Sequence, residues 1–158
     1  MSRGLPLLIA VALALAAPVP ADAALSIAVP TPVPPLALAA GTTASAFGVV
    51  SVTPDVLSPA WSLSIADTSG GAGHLVRGTG SCTGVEAQTT NQLTVRATGS
   101  MPATTSAGTK TVSATAATIA SGTGLDAAVR VTFSLAVLPG EVLSSACTMR
   151  TTVTYTVQ

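Results

Sequence analysis

The chain has 158 residues with six basic and six acidic side chains and one histidine, so its formal net charge is zero at pH 7. This balance leaves no basic surface that could hold a phosphate backbone, so nucleic acid is not expected as a partner. Charged residues make up 8% of the chain and aromatic residues 3%, so the core has to be built from Val, Leu and Ile.

The N-terminal segment has the layout of a secretory signal peptide. Arg3 precedes an apolar run over residues 5–17, and Ala21-Asp22-Ala23 places small residues before a cleavage point. The apolar run is shorter than the about 20 residues that span a bilayer. We therefore expect residues 1–23 to be removed and residues 24–158 to form a single secreted domain with no transmembrane segment.

Strand patterns begin directly after this segment. Residues 25–29 alternate apolar and small side chains, which is typical of a half-buried strand. Residues 30–40 are rich in proline, which removes amide donors, so they are predicted to form a sheet edge or a linker. Residues 42–53 predict a second strand, with a bulge at Gly48.

The middle of the chain continues the period of two. Trp61, Leu63 and Ile65 alternate with small polar residues, so three bulky groups share one sheet face. Residues 114–120 are the one helical candidate, but their β-branched neighbours favour strand or loop. Weaker alternation predicts further strands within residues 75–77, 93–97 and 110–116.

The clearest alternation covers residues 129–137, which predict a strand that crosses a whole sheet. A turn at residues 138–141 leads to a terminal strand over residues 147–157, which we expect to pair with it. Many short alternating strands separated by Gly and Pro predict an all-β fold, an immunoglobulin-like β-sandwich of about seven to nine antiparallel strands.

Two cysteines, Cys82 and Cys147, are the only ones in the chain. An even count in an exported protein predicts one disulfide, which we expect to lie buried between the sheets. Closing a loop of this length contributes up to about 4 kcal/mol in the chain-entropy model. A reactive thiol or a metal pair would need a low-pKa setting or further ligands, and neither is visible near these positions.

Catalytic chemistry finds little support. His74 is the only imidazole, and although Asp67 lies seven residues before it, no nucleophile elbow is nearby, so a solvated loop residue is expected. Paired carboxylates for glycoside hydrolysis would have to come from residues in or near turns, and the aromatic side chains of Phe47, Trp61, Phe133 and Tyr155 are predicted to face inward. The carboxylates in question are Asp55, Asp67, Glu86, Asp126 and Glu141.

No cofactor or metal is expected either. Two Gly-x-Gly patterns, at residues 78–80 and 122–124, lack the helix that would hold a pyrophosphate. One histidine and two distant cysteines give no metal-ligand spacing. The sequence therefore predicts a protein that is not an enzyme.

At Trp61-Ser62-Leu63 the chain resembles the WxL-type cell-surface domain of bacterial exported proteins. A Gly-bearing strand at residues 47–52, an acidic turn at Asp55 and a final strand at residues 153–157 stand in the same order. The resemblance implies an immunoglobulin-like sandwich that associates non-covalently with the cell envelope, with peptidoglycan as ligand. It carries over Trp61 and Leu63 alone, and it leaves Trp61 open between a core residue and a ligand platform.

The sequence thus favours a secreted or envelope-associated, non-catalytic binding or structural protein, whose partner is peptidoglycan, another envelope glycan or an envelope protein. The alternative is a self-assembling coat or pilus-like subunit, in which the strand at residues 149–157 completes the sheet of a neighbour. The ligand, the oligomeric state, retention at the surface against free diffusion, and the order of the Pro-rich segment stay open.

Overall fold

The computed structural model describes residues 25–54, 59–99, 104–124, 127–144 and 146–158, so the expected signal peptide, Asp55 and Asp126 lie outside it. The described residues are all-β, and none of them forms a helix. Accordingly, they contain no helix long and apolar enough to cross a membrane. Eleven strands are present: β1 (Ser26–Thr31), β2 (Thr43–Thr53), β3 (Ala60–Asp67), β4 (Val76–Gly80), β5 (Thr94–Gly99), β6 (Thr104–Ser106), β7 (Thr109–Thr111), β8 (Ala117–Thr123), β9 (Ala127–Ala136), β10 (Cys147–Arg150) and β11 (Val153–Val157).

The strands form three antiparallel sheets. A five-stranded sheet has the order β1-β2-β9-β5-β7, a four-stranded sheet has the order β11-β3-β8-β6, and β10 pairs with β4 alone. The two larger sheets enclose one apolar core, which is the predicted antiparallel sandwich. The strand number exceeds the expected seven to nine because β6 and β7 are three-residue strands and the terminal segment divides into two.

Strand β9 is the centre of the five-stranded sheet, as its alternation predicts. It pairs with β2 from Ala127 to Ala136 and with β5 along part of the same length. Its inward side chains are almost free of solvent contact, and they are Val129, Val131, Phe133 and Leu135. Strand β3 supplies the facing layer with Trp61, Leu63 and Ile65, which the sequence also places on one face.

The N-terminal edge differs from its prediction in two ways. Strand β1 does not stop at Pro30 but includes it, and the register with β2 shifts between Ala28 and Thr31. The bulge therefore lies in β1, and the prediction of a bulge at Gly48 is wrong, since β2 pairs with β9 without interruption there. Gly48 serves a close approach instead, because a Cβ at this position would lie 2.6 Å from the carbonyl oxygen of Thr31.

The prediction that the terminal segment pairs with β9 is also wrong. After the turn that follows β9, the chain crosses to the other side of the sandwich, where β10 pairs with β4 and β11 pairs with β3. A hydrogen bond from the Thr68 amide to the Thr152 carbonyl, 2.8 Å long, joins the two ladders at the bend. The segment is thus a bent strand along one flank of the sandwich.

The disulfide between Cys82 and Cys147 is present, with a sequence separation of 65. The prediction that it lies buried between the two large sheets is wrong. It joins the loop after β4 to the first residue of β10, where Cys147 is paired with Gly80. The bond therefore fastens the small two-stranded sheet, because its two half-cystines flank the same pair of strands.

The Pro-rich segment is ordered against the core. Residues 32–39, here called the strap, form neither helix nor strand. Val33, Leu36 and Leu38 of the strap are partly buried and pack against the core cluster. The strap thus covers the flank of the sandwich between β1 and the terminal segment.

Asp67 organises the turn that links β3 to β4. One carboxylate oxygen accepts hydrogen bonds from the amide and the hydroxyl of Ser69, at 2.7 and 2.6 Å, and the other accepts from the amide of Gly73 at 2.6 Å. Burial disfavours the ionised form, but these hydrogen bonds outweigh it and hold the pKa of Asp67 below its ordinary value of 3.8. Gly73 has a φ of 94°, which side chains rarely adopt, so the turn needs glycine there.

We expect replacement of both cysteines by alanine to lower the free energy of unfolding by up to about 4 kcal/mol, because the unfolded chain regains the freedom of a long loop. Denaturant titration of the Cys82→Ala/Cys147→Ala protein measures this. Ser81→Ala, an exposed change in the same loop, is the control. Equal unfolding midpoints for the double variant and the control would contradict the prediction.

We expect Asp67→Asn to lower the free energy of unfolding by about 2 kcal/mol at pH 7, because the new amide group opposes an N–H donor. The contribution of the carboxylate is present above pH 3.8 and is lost as pH falls through the lowered folded-state pKa. The difference between the variant and the native protein should therefore shrink below pH 3.8. Glu86→Gln, at an exposed carboxylate, is the control, and a gap that persists unchanged in acid would argue against this role.

Candidate functional site

The two residues carried over by the WxL resemblance lie inside the sandwich. Trp61 is 3% exposed and Leu63 is 0% exposed. As folded, neither side chain is accessible to a ligand, which favours the core alternative for Trp61. Its indole nitrogen is buried and has no hydrogen-bond partner among the described residues. A ligand role for this pair stays a prediction.

The residues considered for catalysis have other partners. The prediction that His74 is a solvated loop residue is wrong, because its side chain is half-buried. Its Nδ1 donates a hydrogen bond to the carbonyl oxygen of Thr89 at 2.7 Å. Asp67 bonds to the turn described above rather than to His74. Nothing within the described residues places a hydroxyl nucleophile and an acid on either side of this imidazole. The arrangement is that of a hydrogen-bonded loop.

Glu141 also has a local role. It is 7% exposed, and its carboxylate accepts hydrogen bonds from the amide of Thr90 at 2.7 Å and from the amide of Leu138 at 3.1 Å. This ties the turn after β9 to the segment before β5. Glu86, in contrast, is exposed. In the part of the chain that the structure describes, no three His, Cys, Asp or Glu side chains cluster in a way that could hold a metal ion.

A polar depression lies on the outer face of the five-stranded sheet. It measures about 460 Å³ and is lined mainly by hydroxyl and guanidinium groups. The register explains the composition, since Arg96 stands opposite Thr132 and Thr98 stands opposite Arg130, all on outward positions of β5 and β9. Among the described residues neither arginine forms an ion pair with a carboxylate. The lining residues are Thr94, Val95, Arg96, Thr98, Thr109, Arg130, Thr132 and Ser134.

An aromatic ring borders this depression. Phe47 is 45% exposed, so the prediction that it faces inward is wrong. It lies opposite Thr132 on the outer face of β2, and the guanidinium carbon of Arg130 is 3.6 Å from its ring centroid. This cation–π contact holds the arginine over the sheet. We call Phe47, Arg96, Arg130 and the hydroxyl residues of the depression the outer-face site.

A larger cleft lies on the flank covered by the strap. Its volume is about 1250 Å³, and most of its walls are apolar. The strap forms one wall, the terminal segment forms the other, and Phe133 and Leu93 of the core lie at its base. Val153 and Tyr155 of β11 face into it. The cleft brings together residues from both ends of the described chain, so local sequence patterns give no sign of it.

Tyr155 places a phenol group in the wall of the cleft. Burial raises the pKa of Tyr155 to about 12 from an ordinary value of 10.0, because the charged phenolate loses water contact. The neutral phenol is therefore the form that the folded protein favours.

Comparison with family models, with curated proteins and with solved structures found no match to this chain. The resemblance to WxL-type domains therefore rests on the residues themselves.

We expect the phenolate absorbance of Tyr155, the only tyrosine in the chain, to titrate with a midpoint of about 12 rather than 10. Because the folded-state pKa is raised, the free energy of unfolding should fall as pH rises from 10 towards 12. Tyr155→Phe keeps the shape and should remove this part of the alkaline loss. A midpoint near that of free tyrosine would show that the phenol is solvated.

Proposed function

We propose that this chain is an exported, non-catalytic protein that binds an envelope glycan, peptidoglycan first among them, through the outer-face site. The observation that carries the proposal is a depression lined by hydroxyl groups and bordered by Arg96 and Arg130, which have no carboxylate partner among the described residues. Export itself is inferred from the signal-peptide pattern of residues 1–23.

The chemistry of the site suits a glycan. Sugar hydroxyls exchange hydrogen bonds with serine and threonine, and the carboxylates of peptidoglycan stem peptides accept two parallel hydrogen bonds from one guanidinium. The outer face of β5 and β9 presents these groups on a sheet held rigid by the core, so they need little reordering on binding. Phe47 adds an apolar surface beside them, where the less polar face of a sugar ring can stack.

The absence of catalysis in this proposal is supported by the roles of the ionisable groups. The imidazole of His74 and the carboxylates of Asp67 and Glu141 are engaged in hydrogen bonds with the backbone of neighbouring loops. None of these residues lines the depression. A binding role needs none of them to exchange a proton.

We expect the purified protein to sediment with insoluble cell-wall material, and Arg96→Gln/Arg130→Gln to lower its affinity on the order of tenfold or more, since each guanidinium supplies charge-assisted hydrogen bonds. Arg77→Gln, an exposed arginine on β4 outside the site, is the matched control and should bind as the native protein does. Binding is measured as the bound fraction over a range of wall concentrations at fixed salt.

Walls whose carboxylates have been converted to amides distinguish binding through the arginines from binding through the hydroxyl groups of the site. Loss of binding to such walls would assign the contact to the arginines and stem-peptide carboxylates. Native protein that stays in the supernatant would refute glycan binding, and equal binding by the double variant and the control would place the contact elsewhere on the protein.

A further inference from the structure

The sheets of this protein end in strands that differ in how well they are protected against pairing with another chain. An edge strand presents unpaired N–H and C=O groups, and proteins block such edges with short strands, prolines, bulges or inward charges. Within the described residues the two large sheets end in β1, β7, β6 and β11.

Three of these four edges carry a blocking feature. Strands β6 and β7 have three residues each, and Lys110 of β7 stands opposite the buried Val95, so it points to the inner face. Strand β1 contains Pro30 and the register shift described above. In the small sheet, β4 is covered on its outer side by the segment around Gln88, and the ladder with β10 is irregular.

Strand β11 carries none of these features, and the cleft lies between it and the strap. Its five residues pair with β3 in one unbroken register from Val153 to Val157. It contains no proline, glycine or charged residue. It is thus the longest regular edge in the described part of the chain.

The hydrogen bonds show which groups of β11 are free. Ser62 and Gln158 exchange both backbone bonds, at 2.7 and 3.0 Å, and the amide of Thr68 bonds to the carbonyl of Thr152. Because bonded and non-bonded pairs alternate in an antiparallel ladder, Thr154 and Thr156 bond to β3. The N–H and C=O groups of Val153, Tyr155 and Val157 therefore point away from β3, on the open edge.

We infer that β11 pairs antiparallel with β11 of a second copy of this chain, about a two-fold axis at Tyr155. In this register Tyr155 stands opposite its counterpart, and Val153 of one copy stands opposite Val157 of the other. The free groups of the two edges then face each other and form six N–H to C=O bonds, two for each opposed pair.

The edge is self-complementary in its side chains as well. On the outward face Thr154 of one copy opposes Thr156 of the other, and Thr–Thr pairs stabilise antiparallel ladders. Residues 151–158 include no charged side chain, so no like charges meet across the axis.

The pairing joins two four-stranded sheets into one continuous sheet, while the outer-face site lies on the other sheet and stays free. The inference is therefore independent of the glycan proposal.

The test combines sedimentation equilibrium with amide hydrogen exchange of the purified protein at low and high concentration. A concentration-dependent dimer in which the amides of Val153, Tyr155 and Val157 become protected, while those of Thr154 and Thr156 are protected throughout, is the expected result. A monomer at millimolar concentration overturns the inference, as does a dimer in which the three amides exchange as fast as in the monomer.

A proline variant gives a second, matched readout. Val157→Pro removes an N–H that points to the open edge and not to β3, so the fold is retained while the dimer loses two bonds by symmetry. Its dimer dissociation constant should rise on the order of tenfold or more. Thr111→Pro is the control, because its amide also points outward, on the edge strand β7. Equal dissociation constants for Val157→Pro and Thr111→Pro overturn the inference.

Discussion

The structure depends on the strict alternation of β9 at the centre of the larger sheet. The whole chain has only one tryptophan, one tyrosine and two phenylalanines, so apolar area has to come from many aliphatic side chains on inward positions. Strand β9 contributes three of them and Phe133 in one row, and its ladder with β2 runs through ten successive pairs. A slip of one residue would turn the whole row to solvent, so this register is the one that the other strands have to fit.

The sequence predicts which face of a strand points inward better than it predicts which strands pair with each other. Strands β2, β3, β5 and β9 follow from the period of two, because each has one inward row of apolar residues. Phe47 is misplaced because β2 carries apolar side chains on both faces, with Phe47 and Val49 outward and Val50 and Val52 inward. The pairing of the terminal segment is missed for a different reason: a short turn favours a hairpin, but long-range packing against β3 and β4 prevails.

The candidate sites likewise divide into features that local sequence patterns predict and features that depend on long-range pairing. The disulfide follows from cysteine count and compartment, while its position on the small sheet depends on a strand pairing that composition does not contain. Arg96 and Arg130 stand at outward positions of two recognisable strands, so the outer-face site was open to prediction from alternation alone. The cleft was not, since the strap and the terminal segment meet only after both sheets have formed.

The position of the disulfide determines how the folded chain responds to mechanical force. A pull on the two ends of the chain is carried across the bond between Cys82 and Cys147, so the 64 residues between them, which include β9, cannot be drawn out. At about 3.4 Å per residue, roughly 220 Å of contour length is withheld from stretching. A protein held at one end and loaded at the other would therefore give way from its ends, at β11 and β1, whereas β5 to β9 would stay within the closed loop.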